Sequence, residues 1–236
     1  MLKQLIARID YRRIRDFVIT EYIVLIAIAI ASALVFWFFE FADDVTEGDT
    51  HLVDTAILEM FRAPDDPSQM IGPFWYQEAV RDITALGSFS LLALIVTFAV
   101  VHLLLLRKVG AAVLVGVSII SGSIAISLLK SGFDRPRPDF SAITEELSAS
   151  FPSGHAMASA VTFLTLGALL SRFTDHWRLK IFYFAAAVVL TMLVGTSRVL
   201  LGVHYPSDVI AGWALGAAWA LLWTAIASFL RHRKFV

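Results

Sequence analysis

Six long apolar runs divide the chain, approximately Phe17–Phe39, Ile83–Leu105, Val109–Leu129, His155–Leu170, Ile181–Gly195 and Val209–Leu230. Each is at or near the roughly 20 residues that a helix needs to cross the hydrocarbon core of a bilayer. The pattern predicts an all-α polytopic membrane protein with six transmembrane helices, forming a single domain over residues 1–236. The first run is too long for the apolar region of a cleaved signal peptide, and no small-residue cleavage pattern follows it, so it is expected to stay as a span. Between the first two runs lies an acidic segment, Glu40–Asp82, in which eleven Asp and Glu stand against Arg62 and Arg81. Within it Val53, Ile57, Met60 and Phe61 recur at i, i+4, i+7 and i+8, which predicts a short amphipathic helix on the outer bilayer surface. Trp75 and Tyr76 follow, as in an aromatic belt. A solvated loop with one packing helix accounts for this segment as well as a substrate lid does.

Composition agrees with a membrane setting: 58% of residues are hydrophobic and 17% charged, against about 45–50% and 25% in soluble domains. The net charge of −1 provides no basic field for nucleic acid, and the absence of cysteine removes disulfides, thiol nucleophiles and thiolate metal sites. Lys and Arg are distributed unevenly across the predicted spans. Thirteen fall on the side of the two termini, including the N-terminal segment 1–16, and six fall on the other: Arg62, Arg81, Lys130, Arg135, Arg137 and Arg198. Short cytoplasmic loops are the ones enriched in cations, so both termini are expected in the cytoplasm. All seven prolines lie in the outer connections. Irregular backbone near a membrane is either buried in protein or lines a wet cavity, which makes the outer face the place to look for a site.

Three outer connections carry polar groups that an anchor does not need. They are Lys130 to Pro138, with Arg135 and Arg137; Phe151-Pro152-Ser153-Gly154-His155; and Ser197-Arg198 followed by His204-Tyr205-Pro206-Ser207-Asp208. Taken singly, each has a plain structural explanation: Lys130 and Arg198 snorkel to the interface, Ser153 caps a helix, and a histidine sits at a membrane surface. Taken together, they put four cations, two histidines and a carboxylate on the side that the charge rule should deplete. A phosphoryl group requires such a set. Guanidinium forks and an ammonium bind its oxygens, backbone N–H groups at a helix start add donors, and two histidines provide a nucleophile and an acid.

Lys130-x6-Arg137-Pro138, Pro152-Ser153-Gly154-His155 and Ser197-Arg198-x5-His204-x3-Asp208 resemble the three signature motifs of the membrane-bound type 2 phosphatidic acid phosphatases. That superfamily also includes bacterial acid phosphatases and vanadium haloperoxidases. The resemblance implies a single membrane phosphatase domain with its catalytic motifs at residues 130–208. It implies His204 as the nucleophile that forms a phosphohistidine, Asp208 as the holder of its other ring nitrogen, and His155 as the acid toward the leaving lipid oxygen. Lys130, Arg137, Arg198, Ser153 and Gly154 would bind phosphate, and Arg135, outside the strict motif, would reach a second phosphate or headgroup or else serve a surface role. No metal and no cofactor is expected.

The implied partners are a lipid phosphate substrate and membrane lipids, with the oligomeric state open. The implied location is a bacterial inner membrane with the site facing the periplasm. Phosphatidylglycerol phosphate, phosphatidic acid, undecaprenyl pyrophosphate and a lipid A phosphate all fit, because the motifs read the phosphate and not the tail. A phosphotransferase that passes the group to an acceptor lipid, or a non-catalytic lipid-phosphate binding or transport protein, are the competing readings. Glu21 and His102, near the cytoplasmic ends of the first two spans, are read as interfacial or interhelical polar residues.

Overall fold

The computed structural model describes the backbone of residues 11–140 and 149–232 and the side chains of residues 21–140 and 149–230. The basic side chains of the N-terminus (Lys3, Arg8, Arg12, Arg13 and Arg15) and of the tail (Arg231, Arg233 and Lys234) therefore lie outside the described residues. In chain order the helices are α1 (Tyr11–Glu47), α2 (His51–Glu59), α3 (Phe74–Ala85), α4 (Phe89–Leu105), α5 (Val109–Lys130), α6 (Gly154–Ser171), α7 (Trp177–Leu200) and α8 (Pro206–His232). A two-stranded antiparallel hairpin, β1 (Arg62–Ala63) and β2 (Asp66–Met70), sits between α2 and α3.

Helices α1, α5, α6, α7 and α8 are each long and apolar enough to cross a membrane, and α3 and α4, bent by 50° at a short break, are long and apolar enough together for a sixth span. The outward faces are apolar, with Phe36, Phe98 and Leu128 each about two-thirds exposed, as lipid contact requires. The chain is an integral membrane protein of the helical class. α6 is the hub, packing most extensively against α7 and α8, while α8 also packs along α1. Small residues permit these approaches, as expected where helices associate by close packing in lipid. A methyl group on Gly212 of α8 would lie 2.8 Å from the Ser153 carbonyl oxygen at the start of α6.

Three features differ from expectation. The second apolar run is not one straight span. It breaks at Leu86–Ser88, where Ser88 caps α4 by accepting the Leu91 N–H at 3.4 Å, and where Gly87 lies so close to Val194 and His155 that no side chain fits. The first helix continues well past Phe39 to Glu47; its 37 residues, at about 1.5 Å each, exceed a bilayer core of about 30 Å, so its acidic end projects beyond the membrane. The amphipathic helix is present as α2; it turns Asp54 and Leu58 inward and leaves Val53 and Met60 exposed, as a helix on the bilayer surface does. Phe61 falls beyond its end, and the following hairpin is, among the described residues, the one departure from an all-helical fold. Arg62 of β1 is buried and donates to the Leu200 carbonyl at the end of α7, which gives one outer-side cation a structural task.

Below the outer face, Phe38 of α1 stacks on Phe151 with ring centroids 5.6 Å apart, and Phe133 meets Phe151 edge-on at 4.9 Å. This aromatic cluster is continuous with Met157, Ala211 and Leu215. It forms an apolar floor beneath the polar connections.

Candidate functional site

Two helix termini place the central histidine. α7 ends in a Schellman motif, with Gly202 N–H donating to the Val199 carbonyl at 2.9 Å and Val203 N–H to the Arg198 carbonyl at 3.2 Å. This motif requires a left-handed residue after the helix, and Gly202 supplies it at φ +70°. The chain therefore reverses immediately after Arg198 and delivers His204 back toward it. α8 then opens with Pro206 in its first position, where the missing N–H costs nothing. Asp208 reaches back to accept the Tyr205 N–H at 2.9 Å, in the manner of the acidic half of a capping box. The carboxylate is thereby fixed one turn from His204, with Oδ2 3.4 Å from Nδ1.

Around this pair lies a buried polar network. Ser150 Oγ donates to Asp208 Oδ2 at 2.5 Å and lies 3.3 Å from His204 Nδ1. Arg135 Nη1 donates to Asp208 Oδ1 at 2.6 Å and to Ser207 Oγ at 2.7 Å, while Arg135 Nη2 donates to Asp54 Oδ2 at 2.8 Å. Asp54 in turn accepts the Ser207 N–H at 2.9 Å and the Ser207 hydroxyl at 2.5 Å. The Arg135 guanidinium carbon also stacks 4.2 Å over the Tyr205 ring. Burial disfavours the Arg135 charge, but the Asp208 and Asp54 carboxylates outweigh it and hold the guanidinium pKa above its ordinary value. Arg135, expected to touch substrate or solvent, is instead committed on both sides to carboxylates.

The other ring nitrogen of His204 faces the cations. Arg137 Nη1 lies 3.4 Å from His204 Nε2 and donates to the Val203 carbonyl at 3.0 Å. Arg198, buried at the end of α7, approaches Thr84 Oγ1 at 3.4 Å. Lys130 donates to the Ala149 carbonyl at 3.1 Å, and its ammonium passes close enough to Gly154 that a Cβ there would sit 3.9 Å from Nζ. His155 occupies the first turn of α6 against Gly87. Ser153 is the residue before α6, yet its side chain makes no cap bond, and its buried hydroxyl has no hydrogen-bond partner among the described residues. Burial pushes the His204 imidazole down to about 4; Asp208 opposes this, while the Arg198 and Arg137 charges add to it. The imidazole is therefore neutral near pH 7, with a lone pair available. The carboxylate can only accept, so the ring proton belongs on Nδ1 and the free pair on Nε2.

All the motif residues are thus carried to one end of the bundle. Asp54, Ser150, Ser207 and Thr84 join them without having been expected. Ser150 and Ser207 lie next to or within the motifs. Asp54 had a weaker signal: a carboxylate four residues before Leu58 on the face that an amphipathic helix buries. A cavity of about 500 Å³, bordered by Thr46, His51, Phe133, Arg135, Pro136 and Tyr205, lies alongside the network.

The comparisons give the class of protein, a membrane phosphatase. The PAP2 superfamily profile matches residues 111–231, from the first turn of α5 through most of α8, and the chain belongs to that superfamily. It is 34% identical over 145 residues to phosphatidylglycerophosphatase B of Bacillus subtilis (strain 168), covering 60% of this chain and 70% of that protein. It is 37% identical over 118 residues to lipid A 1-phosphatase of Rhizobium johnstonii, covering 46% of this chain and 43% of that one. The crystal structure of a transmembrane PAP2 type phosphatidylglycerolphosphate phosphatase from Bacillus subtilis superposes with a TM-score of 0.72 at 27% identity, covering 87% of this chain and 97% of the other.

Proposed function

We propose that the chain hydrolyses a phosphomonoester or pyrophosphate of a membrane lipid through a phosphohistidine on His204. The observation that carries this reading is the polarised imidazole: Nδ1 faces Asp208 at 3.4 Å and Nε2 faces the Arg137 guanidinium at 3.4 Å. A phosphoryl group held by Lys130, Arg137 and Arg198, with the Ser153 hydroxyl and the Gly154 N–H as further donors, would present phosphorus to Nε2. In the first step the Nε2–P bond forms and the bond from phosphorus to the lipid oxygen breaks, with His155 giving its proton to that oxygen. In the second, His155 takes a proton from water as the water oxygen attacks phosphorus, the P–N bond breaks, and inorganic phosphate leaves. Asp208 stabilises the positive charge that the ring carries between these steps, and the cations neutralise charge on the equatorial oxygens. Arg135 and Asp54 act by holding Asp208 and do not touch substrate.

Among lipids, the similarity to phosphatidylglycerophosphatase B favours phosphatidylglycerol phosphate, with phosphatidic acid, undecaprenyl pyrophosphate and a lipid A phosphate as the further candidates. Phosphate release from such a panel with EDTA present, compared between wild type and His204→Ala, tests the proposal. Release that survives EDTA and vanishes in the variant is expected, whereas equal release by the variant would refute the assignment. For orientation we infer a bacterial inner membrane with both termini cytoplasmic and the site periplasmic, because Arg107, Lys108, Arg172, Arg178 and Lys180 all sit toward the opposite end of the bundle. The chain has no cysteine, so single cysteines report this directly. Ser68→Cys should react with an impermeant maleimide in spheroplasts and Asp175→Cys only after lysis; the reverse pattern would invert the topology.

A further inference from the structure

We propose that the end of the bundle opposite the candidate site holds a second phosphate-recognition site, built for the headgroup of an anionic phospholipid in that leaflet. A cavity of about 560 Å³ opens there between the start of α5 and the ends of α6 and α8, and Arg107, Lys108 and Arg172 all border it. The 22 residues of α5, at about 1.5 Å each, put roughly 30 Å between this cavity and Lys130, so the two sites are distinct. This inference does not depend on the catalytic reading.

A general cytoplasmic charge bias does not explain the arrangement, because these cations are held around the cavity. Arg172 Nη2 donates to the Thr224 carbonyl at 3.0 Å and to Ser228 Oγ at 2.9 Å, and Lys108 Nζ sits 3.7 Å over the Phe173 ring. Arg107 ends α4 in the left-handed position of a Schellman motif, with φ 58° and with Lys108 N–H bonded to the Leu103 carbonyl at 2.8 Å. Glycine is the usual residue there, yet an arginine stands in this position at the rim of the cavity. The lining also includes Val109, Gly110 and Ala111, the first turn of α5, whose N–H groups have no partner within the helix and favour an anion.

Leu114, Leu169 and Ala227 make the remaining wall apolar, as an acyl chain requires. A free anion would use the cations and N–H groups but not that wall. Basic pockets between spans commonly receive lipid headgroups.

The test is a thermal-shift titration of the purified chain in neutral detergent with phosphatidylglycerol, phosphatidylcholine or inorganic phosphate. Binding to the folded state raises the midpoint in proportion to occupancy. Phosphatidylglycerol should stabilise at least tenfold more potently than phosphatidylcholine, and any stabilisation by inorganic phosphate, which the candidate site would also bind, should be the same in wild type and in the cavity variants. The double variant Arg107→Gln/Lys108→Gln should weaken phosphatidylglycerol at least tenfold. Ala168→Phe, which fills the cavity and keeps every charge, should do the same, so that misfolding of one variant leaves the other decisive. His204→Ala should bind as wild type does. Equal potency of the two lipids, or unchanged phosphatidylglycerol affinity in the folded variants, would overturn the proposal. Stabilisation by inorganic phosphate that is lost in Arg107→Gln/Lys108→Gln would overturn the lipid assignment in favour of a soluble anion.

Discussion

Asp54→Asn is the sharpest probe of how the outer segment supports the reactive pair. Asp54 is 2% exposed, and its two oxygens accept three hydrogen bonds, one from Arg135 and two from Ser207. An amide of the same shape has one acceptor. If its oxygen faces Arg135, its NH2 meets the Ser207 N–H; if it is flipped, its NH2 meets the guanidinium. Removing one partner of a buried ion pair costs about 3–5 kcal/mol, but Arg135 retains Asp208, so a loss nearer 2–3 kcal/mol is expected, close to one charge-assisted hydrogen bond of about 1.5–3 kcal/mol. Arg135 then leans wholly on Asp208 and draws carboxylate charge away from His204. Weakening that support by about 1.4–2.8 kcal/mol would lower kcat about 10- to 100-fold, while KM changes less than threefold because the phosphate-binding cations are untouched. The assay is steady-state phosphate release with the best lipid of the panel, repeated for Arg135→Gln and for the double variant. The double-mutant cycle should show coupling of about 1.5 kcal/mol or more. Additive effects, or a kcat within twofold of wild type, would refute the chain from Asp54 through Arg135 to Asp208.

Three further outcomes follow from the geometry. Because His204 is neutral down to about pH 4 in the fold and titrates near 6.5 when unfolded, the unfolded chain binds the extra proton between those values. The contribution of this residue is thus fully present above about pH 6.5 and is lost as pH falls toward 4, by about 3 kcal/mol in total; thermal melts of wild type against His204→Ala should diverge across that window, and parallel melts would sink the assignment. Ser153→Ala should leave the melting temperature unchanged, since its hydroxyl has no protein partner among the described residues, yet weaken inhibition by inorganic phosphate about tenfold; an unaltered inhibition constant would remove Ser153 from the phosphate site. Gly87→Ala forces a methyl against Val194 and within 3.3 Å of the His155 ring, and overpacking of this kind costs about 1–3 kcal/mol. It should lower both the midpoint and kcat, and wild-type values for both would show that α3 and α4 do not fix His155.

Much of this architecture was legible in the apolar runs, because length and hydropathy alone decide what crosses a bilayer. The break at Leu86–Ser88 was less visible: a Gly-Ser pair inside an apolar run is tolerated in many membrane helices, and only the contact of Gly87 with Val194 and His155 shows why this chain bends there. Within the site, the cations and histidines stood out because they occur where the charge rule disfavours them. Asp54 did not, since an acidic residue in an acidic segment looks solvated, and its pairing spans 81 positions in the chain. The two readings of Arg135, as a contact to a second phosphate or headgroup or as a surface residue, had the same origin. Its spacing from Arg137 is local information, whereas its partners come from α2 and α8. Which residues of α2 face the bundle was not legible, because only the contact of Asp54 with Ser207 shows that Asp54 and Leu58 turn inward.

The most direct test of the account is to quench a single turnover of a ³²P-labelled lipid phosphate in alkali, which preserves phosphohistidine, and to map the label by mass spectrometry. The account predicts label on Nε2 of His204, accumulating before inorganic phosphate appears and absent in His204→Ala. Turnover without any labelled histidine, or label on His155 instead, would contradict it.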